Sequence, residues 1–387
     1  MKYRTHKGME LSEIGMGCYA LSGAYGSLEQ EHFKKVLQRA HALGINYFDT
    51  AETYGEGGER LLGEVIRPFR EEVHVSTKVG LTEGLEPNLS YDHLVNTCEK
   101  SLERLQTNYI DFYLVHFADP KTPIDETIQA LEDLKEEGKI LHYGLSHLSA
   151  ENFKSYLEKG NVAIALMELN TAVRDARKNL LPLCRVHNVG GIAFSVTGRG
   201  LLTGNYTKKP DFEPGDLRNV DPLFHRARFQ STLRIVEKLR EIGEKHEKSP
   251  VQVAIQWVLS QDGIICALTG TTSIEHLTEN VGGSGWSLTQ DDQQQLEALL
   301  KKEDDWLSEQ EPVIVKEILT SELAEKPADI FSDLVYALEA ALTRNMASEE
   351  EIMPLFKKLW QLRKTKGEAR KTLETLQEEL REVILAD

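Results

Sequence analysis

Short apolar runs rich in β-branched residues recur along the first two-thirds of the chain. They alternate with longer segments of helical period. The runs are Ile14–Cys18, Ile45–Thr50, Val73–Lys78, Asp111–His116, His142–Ser146, Ile164–Asn170, Gly191–Val196 and Ile264–Gly270, eight in all. Most are almost continuously apolar, the pattern of parallel strands covered on both faces. Between them lie amphipathic stretches. In Glu31–Ala40 the residues Phe33, Val36, Leu37 and Ala40 share one helical face. Leu94–Leu105, Ile124–Glu137 and Thr232–His246 follow the same period, and Pro250 opens a further helix behind Ser249 as its N-cap. A strand–helix alternation repeated eight times predicts an α/β fold, a closed (β/α)₈ barrel of the TIM type, with an open doubly wound sheet as the alternative. Lys2–Leu11 precedes the first run and predicts a hairpin that closes the barrel bottom.

The pattern changes near Trp306, which the reading places in a C-terminal loop over the barrel mouth. Beyond it Gly nearly disappears and Leu, Glu and Lys dominate. Ile330, Leu334, Leu338 and Leu342 form one stripe, Ile352, Leu355, Phe356 and Leu359 a second, and Leu373, Leu376, Leu380 and Val383 a third. Ser348 and Glu351 stand in capping-box register before the second. Three helices are expected. The domains drawn from this change are a barrel over 1–310 and a helical appendage over 311–387. The appendage reads as a packing or oligomerisation element, with a lid or a surface for a protein partner as the alternatives.

Composition narrows the function classes. Lys and Arg number 45 against 62 Asp and Glu, a net charge of −17, which disfavours a phosphate backbone as partner. Cys18, Cys98, Cys184 and Cys266 lie far apart without metal-ligand spacing, so neither a metal site nor a disulfide framework is expected. The opening Met1–His6 has no apolar core of a signal peptide and no apolar run is long enough to span a bilayer. A cytoplasmic protein without membrane contact is the expectation.

The chemistry concentrates in Gly44-Ile45-Asn46-Tyr47-Phe48-Asp49-Thr50-Ala51-Glu52-Thr53-Tyr54-Gly55. One strand delivers Asp49 at its C-terminal end, and Tyr54 follows in the loop. Lys78 and His116 end the next two strands. In a barrel the C-terminal strand ends form the active face, so a carboxylate, an ammonium, an imidazole and a phenol share one rim. A free phenol is a poor acid at neutral pH, and a neighbouring lysine cation favours its ionised form. Asp49 can hold Lys78 charged and aimed, and His116 can orient a carbonyl oxygen. The set suits reduction of a carbonyl, with Tyr54 as general acid and electrostatic support for the developing alkoxide.

These residues resemble the aldo-keto reductases. The block Gly44 to Gly55 matches one of that family's signatures, and the strand-end Lys78 and His116 complete its catalytic tetrad. The resemblance runs from about Ile14 to Asn280. It implies a (β/α)₈ barrel that binds an extended nicotinamide cofactor, NADP by preference, with NAD as the alternative. It further implies that Ser146 and His147, in Gly144-Leu145-Ser146-His147, together with Glu168, meet the nicotinamide carboxamide. His147 stands where the family has Asn, and Leu166 where it has Gln. Phe194 takes the place of an aromatic residue that stacks on the nicotinamide, and Ser195 follows it. Gly198, Arg199 and Gly200 resemble a loop over the pyrophosphate, and Gly270, Thr271, Thr272, His276, Glu279 and Asn280 the adenosine end. His276 replaces an Arg that commonly pairs with a 2′-phosphate. Loops on the same rim offer Tyr19, Tyr25 and Phe117 to the substrate.

The leading expectation is an NAD(P)H-linked oxidoreductase acting on an aldehyde, ketone or sugar carbonyl. Two alternatives stand beside it. One is a nucleotide-binding regulatory subunit without turnover. The other is a sugar lyase or epimerase that uses the cofactor transiently.

Overall fold

The computed structural model describes residues 1–55, 57–82, 86–362 and 369–385. All eight expected strands are present. In chain order the strands are β1 (Tyr3–His6), β2 (Met9–Ser12), β3 (Ile14–Gly17), β4 (Tyr47–Asp49), β5 (His74–Val79), β6 (Ile110–Val115), β7 (Ile140–Ser146), β8 (Ile164–Glu168), β9 (Gly190–Phe194) and β10 (Ile264–Thr269). The last eight pair in parallel, in sequence order, and β10 pairs back onto β3 to close the barrel.

The intervening helices are α1 (Gln30–Ala42), α2 (Gly58–Ile66), α3 (Tyr91–Leu105), α4 (Ile124–Glu136), α5 (Ala150–Lys159), α6 (Ala176–Val186), α7 (Arg226–His246), α8 (Pro250–Leu259) and α9 (Ile274–Val281). Helix α1 shows why they form. Its apolar stripe Phe33, Val36, Leu37 and Ala40 is wholly buried, and the Glu29 carboxylate caps its first turn by accepting from His32 N at 3.0 Å. Helix α8 starts on the predicted Ser249 cap with Pro250 behind it, and Gln252 completes a capping box.

The Lys2–Leu11 segment is a hairpin, β1 against β2, turning on Lys7 (φ 48°) and Gly8 (φ 82°). Two successive left-handed residues make the tight turn that matches strand twist, and glycine takes the second without strain. Arg4 donates to the Ile264 carbonyl at 2.7 Å, Lys7 to Val162 O at 2.9 Å, and His6 Nε2 meets Ala163 O at 2.9 Å. Those carbonyls precede or begin β8 and β10, so the hairpin covers the N-terminal end of the barrel. Leu11 inserts there into an interior cluster with Tyr47, Phe112, Leu114, Ile164, Leu166, Ile192 and Cys266.

The remaining helices are α10 (Gln290–Thr320), α11 (Pro327–Thr343), α12 (Glu349–Leu362) and α13 (Ala369–Ile384). The three expected apolar stripes bury Ile330, Leu334, Leu338, Ile352, Leu355, Leu359, Leu373, Leu376 and Leu380 in one core. The described chain divides into two compact units, Met1–Thr203 with Leu239–Gln290, and Gly204–Lys238 with Asp291–Asp387. This differs from the contiguous blocks 1–310 and 311–387. The change of composition at 311 falls inside the single 31-residue helix α10, because a helix can change composition without ending. Glu311 is buried in the second unit, where Arg228 Nε donates to it at 2.6 Å and Arg344 binds its other oxygen. Trp306 stands within α10 rather than in a loop, under the Arg234 guanidinium at 4.1 Å.

Candidate active site

The barrel register brings the strand ends together. Asp49 ends β4 and lies beside Ser76 of β5, while Lys78 lies beside Leu114 of β6. His116 follows β6, tied by its N–H to Val79 O at 2.8 Å. Tyr54 stands in the turn after β4, closed by its own N–H to Ala51 O at 3.1 Å. All four side chains are at least nine-tenths buried.

Lys78 organises the group. Its Nζ donates to Asp49 Oδ1 at 2.6 Å, to the Thr50 carbonyl at 2.7 Å and to Tyr54 OH at 3.2 Å. These three acceptors use all three protons of an ammonium. Asp49 is held in turn by Ser76, whose hydroxyl donates to Oδ2 at 2.6 Å, and Ser76 Oγ lies 2.8 Å from Tyr47 OH. Neither Ser76 nor Tyr47 was singled out from the sequence. The period-two rule carried the signal, since Ser76 and Lys78 sit two apart on one face of β5.

The electrostatics set the protonation states. Burial alone pushes Lys78 down, but the carboxylate of Asp49 and the phenol of Tyr54 more than reverse it and keep the ammonium charged. Burial pushes the Tyr54 phenol up to about 12, against the pull of Lys78. The net direction is opposite to the expected lowering, because desolvation of a nearly enclosed phenolate outweighs one neighbouring cation. Tyr54 therefore carries its proton throughout the neutral range. Burial first, then the charge on Lys78, holds His116 far below the usual imidazole value, so it is neutral. Among the described residues no partner reaches its Nδ1.

A line of rings crosses the mouth. Tyr54 and His116 have centroids 6.2 Å apart, His116 and His147 5.6 Å, and His147 and Phe194 5.1 Å. Phe117 stacks on His116 at 4.3 Å and lies 5.4 Å from His147. Tyr19 sets its edge against Tyr54 at 5.1 Å and against Tyr25 at 5.8 Å. Of the residues offered to a substrate, Tyr19 thus meets Tyr54, Phe117 meets His116, and Tyr25 meets Tyr19. His147 is open to solvent yet crowded in this concavity. Its surroundings, and then the charge of Lys78, lower it to about 4.

The residues expected to hold a cofactor extend from this line. Ser146 ends β7, and its buried Oγ has no partner among the described residues; the same is true of Ser195 Oγ after β9. A buried hydroxyl costs free energy unless it is hydrogen-bonded, so these two orphans fit a polar ligand lying across the mouth. Glu168 is engaged by Arg199 at 2.8 Å. Arg199 stands in left-handed backbone between Gly198 and Gly200 (φ 57°, 55° and 92°), in a turn whose Gly198 and Gly200 N–H groups donate to Ser195 O at 2.8 Å and Thr197 O at 3.1 Å. Asn170, wholly buried and absent from the sequence-based set, supports this loop by donating to Ser195 O at 3.0 Å. Leu166, in the place of an amide, packs into the barrel interior.

The adenosine-end residues lie after β10. Thr271 Oγ1 accepts from Ser273 N at 3.1 Å, and Ser273 Oγ caps α9 by accepting from His276 N at 3.2 Å. Thr272 and His276 are exposed, Gly270 is exposed beside them, Glu279 is half-buried with its carbonyl taken by Gln252 Nε2 at 2.9 Å, and Asn280 is buried. These residues share one edge of the barrel face without converging on a single atom.

Comparison with known proteins agrees with this geometry. The family model described as "Aldo/keto reductase family" matches residues 13–301. The chain is 37% identical over 294 residues to "Aldo-keto reductase str7" of Strobilurus tenacellus, covering 73% of this chain and 87% of that protein. It is 32% identical over 302 residues to "Aldo-keto reductase YhdN" of Bacillus subtilis, covering 76% and 91%. Among solved structures, the glycerol dehydrogenase AKR11B4 from Gluconobacter oxydans superposes with a TM-score of 0.72 at 30% identity, over 78% of this chain and 96% of that one. An aldo/keto reductase from Klebsiella pneumoniae in complex with NADP and acetate gives a TM-score of 0.62 at 26% identity, over 77% and 95%. Helices α11–α13 lie beyond the matched residues. With a closed barrel, a Tyr–Lys–Asp–His group on its C-terminal rim and a family match over three-quarters of its length, the chain belongs to the aldo/keto reductase family, whose members are oxidoreductases of carbonyl compounds.

Proposed function

We propose that this protein reduces the carbonyl of an aldehyde, ketone or sugar to an alcohol with NADPH, and that Tyr54 is the general acid. The observation that carries the reading is the buried Asp49–Lys78–Tyr54 chain, with contacts of 2.6 and 3.2 Å, beside a neutral His116. The solved Klebsiella relative in complex with NADP supports the choice of cofactor. So do the orphan hydroxyls of Ser146 and Ser195.

The cofactor supplies the hydride. Ser146, His147 and Phe194 would hold its nicotinamide, and Arg199 with its flanking glycines the pyrophosphate. The chain's own residues handle the oxygen. Tyr54, protonated because its site is dry, donates a hydrogen bond to the carbonyl oxygen. His116, neutral, adds a second N–H donor and carries no charge that would compete for the proton. As the oxygen becomes anionic the phenolic proton passes to it, and the phenolate left behind faces the Lys78 ammonium. Asp49 and Ser76 keep that ammonium charged and aimed, so no reorganisation is needed during the step. Tyr19, Tyr25 and Phe117 line the approach with aromatic surface, which suits a carbonyl carrying an apolar or ring-shaped group.

The test is Tyr54→Phe, which keeps the ring and removes the acid. Binding of NADPH and NADH, followed by nicotinamide fluorescence, is expected to stay at the parent level. Turnover over a carbonyl panel, followed by loss of reduced nicotinamide absorbance, is expected to fall by roughly 10²–10⁴-fold. Undiminished turnover would refute the assignment.

A further inference from the structure

The segment between Asp49 and Tyr54 contains a carboxylate that the mechanism above does not use. Glu52 sits in the turn closed by Tyr54 N to Ala51 O. Its side chain reaches across to the next strand end, where Oε1 accepts from Leu81 N at 3.3 Å. Gly80 and Leu81 come directly after β5, two and three residues beyond Lys78. The contact therefore joins the turn that carries the acid to the strand end that carries its cation.

We propose that Glu52 is a positioning residue for carbonyl reduction: its carboxylate clamps the Tyr54 turn to the end of the Lys78 strand and so sets the contact between phenol and ammonium. The proposal rests on the reading of Tyr54 as the acid. The need for such a clamp is visible in the geometry. β4 is only three residues long, and Tyr54 lies five residues beyond its end. Lys78, by contrast, is fixed inside a six-residue strand. The Tyr54–Lys78 contact, at 3.2 Å, is the longest of the three that Lys78 makes. The phenol is thus held less closely to Lys78 than Asp49 is, and Glu52 is the side chain of its turn that reaches the neighbouring strand end.

The clamp depends on charge. A carboxylate accepts two N–H groups at once, and a protonated carboxyl turns one oxygen into a donor. Several groups face it. Glu59 of α2 repels it and is itself bound by Thr77 Oγ1 at 2.6 Å and by Arg104 Nε at 2.5 Å. Arg104 of α3 attracts it, and Tyr113 of β6 feels its charge. Burial leads this balance and brings Glu52 up to about 7, with the Leu81 N–H opposing. Below that value the carboxyl binds a proton, the clamp weakens, and Tyr54 loses its fixed distance to Lys78. Activity then falls on the acid side although Tyr54 itself remains protonated.

The experiment compares the intact enzyme with Glu52→Gln, Glu52→Ala and Tyr54→Phe over pH 5.5–9, with NADPH and a carbonyl that the parent turns over. Glu52→Gln keeps one acceptor oxygen without a titrating charge. It imitates the protonated carboxyl, so it is expected to lose the acid limb near pH 7 and to hold kcat near the parent's low-pH level throughout. Glu52→Ala removes the clamp and is expected to lower kcat by about 10–100-fold at every pH, on the scale of an ångström-size misplacement of a catalytic group. KM and NADPH affinity are expected to change less than threefold in both. An unaltered acid limb in Glu52→Gln, or a fall in cofactor affinity in place of kcat in Glu52→Ala, overturns the proposal. If Tyr54→Phe alone stays active, it is the reading of Tyr54 that fails. If Tyr54→Phe is inactive while both Glu52 variants match the parent in level and profile, the clamp fails and the acid assignment survives.

Discussion

Replacing Asp49 by Asn removes one charge from the centre of the site and almost no volume. Lys78 and Asp49 are 1% and 3% exposed and meet at 2.6 Å, so the ammonium would remain buried with only the Thr50 carbonyl, Tyr54 and an amide oxygen around it. Stranding one partner of a buried pair typically costs about 3–5 kcal/mol. The protein has one escape, which is to release the proton of Lys78. From an ordinary lysine value near 10.4, that route costs about 1.4 kcal/mol for each pH step below it, close to 5 kcal/mol at pH 7 and about 2 kcal/mol at pH 9. The deficit of Asp49→Asn is therefore capped at those values and shrinks as pH rises. The sign is opposite in the parent. There Lys78 is raised above its ordinary value, so its contribution is fully present below the unfolded value and is lost only as pH climbs through the folded one. Urea unfolding at pH 7, 8 and 9, followed by far-ultraviolet circular dichroism, measures this directly. A deficit of about 3–5 kcal/mol at pH 7 that falls to about 2 kcal/mol at pH 9 is expected. The double variant Asp49→Asn with Lys78→Met, which leaves no stranded charge, should recover most of it. A deficit under about 1 kcal/mol, or one that stays constant with pH, would show that Lys78 does not depend on Asp49 for its charge.

Three further outcomes follow from single contacts. Ser146→Ala removes a buried hydroxyl that has no partner among the described residues, so stability should hold or rise slightly while NADPH binds about 2–10-fold more weakly by fluorescence titration. Gly63→Ala should cost on the order of 1–3 kcal/mol in urea unfolding, because a Cβ there would overlap the backbone at Leu105 and neither helix α2 nor α3 can yield cheaply. Glu311→Gln should destabilise the helical unit by about 3–5 kcal/mol, since Arg228 and Arg344 share that one buried carboxylate; matching stabilities for variant and parent would make the pair merely decorative.

The sequence disclosed the barrel strands because parallel strands buried on both faces leave nearly unbroken apolar runs. The edges moved by at most two residues. Ile45–Thr50 contracts to Tyr47–Asp49, since hydropathy continues into the loop while pairing stops at the last shared hydrogen bond. Helices α2, α5 and α6 were not singled out, as their segments carry Gly63, short stripes or Pro182 that blur the helical period. The second unit was read in outline only. Its three C-terminal stripes are plain, but 204–238 joins them from a distant part of the chain, and a partnership between separated segments leaves no local pattern.

The site divides along a different line. Asp49, Lys78 and His116 were legible because each stands at or just after a strand end, where the fold itself assigns a direction. Tyr54 was legible by motif, but its ionisation was not. A sequence places a cation beside a phenol without saying how much water either keeps, and burial reverses the direction that proximity suggests. That reversal bears on the proposed role of Tyr54 as the acid. A phenol raised to about 12 is a reluctant acid toward water and a willing one only toward an oxygen that is turning into an alkoxide. The alkoxide of a simple alcohol is far more basic than such a phenolate, so the transfer is downhill once the hydride has moved and uphill before. The Lys78 ammonium then sits 3.2 Å from the charge that appears. In the proposed reaction the high value of Tyr54 would thus keep the proton loaded through the neutral range, and Asp49 and Ser76 would hold in place the cation that stabilises its departure.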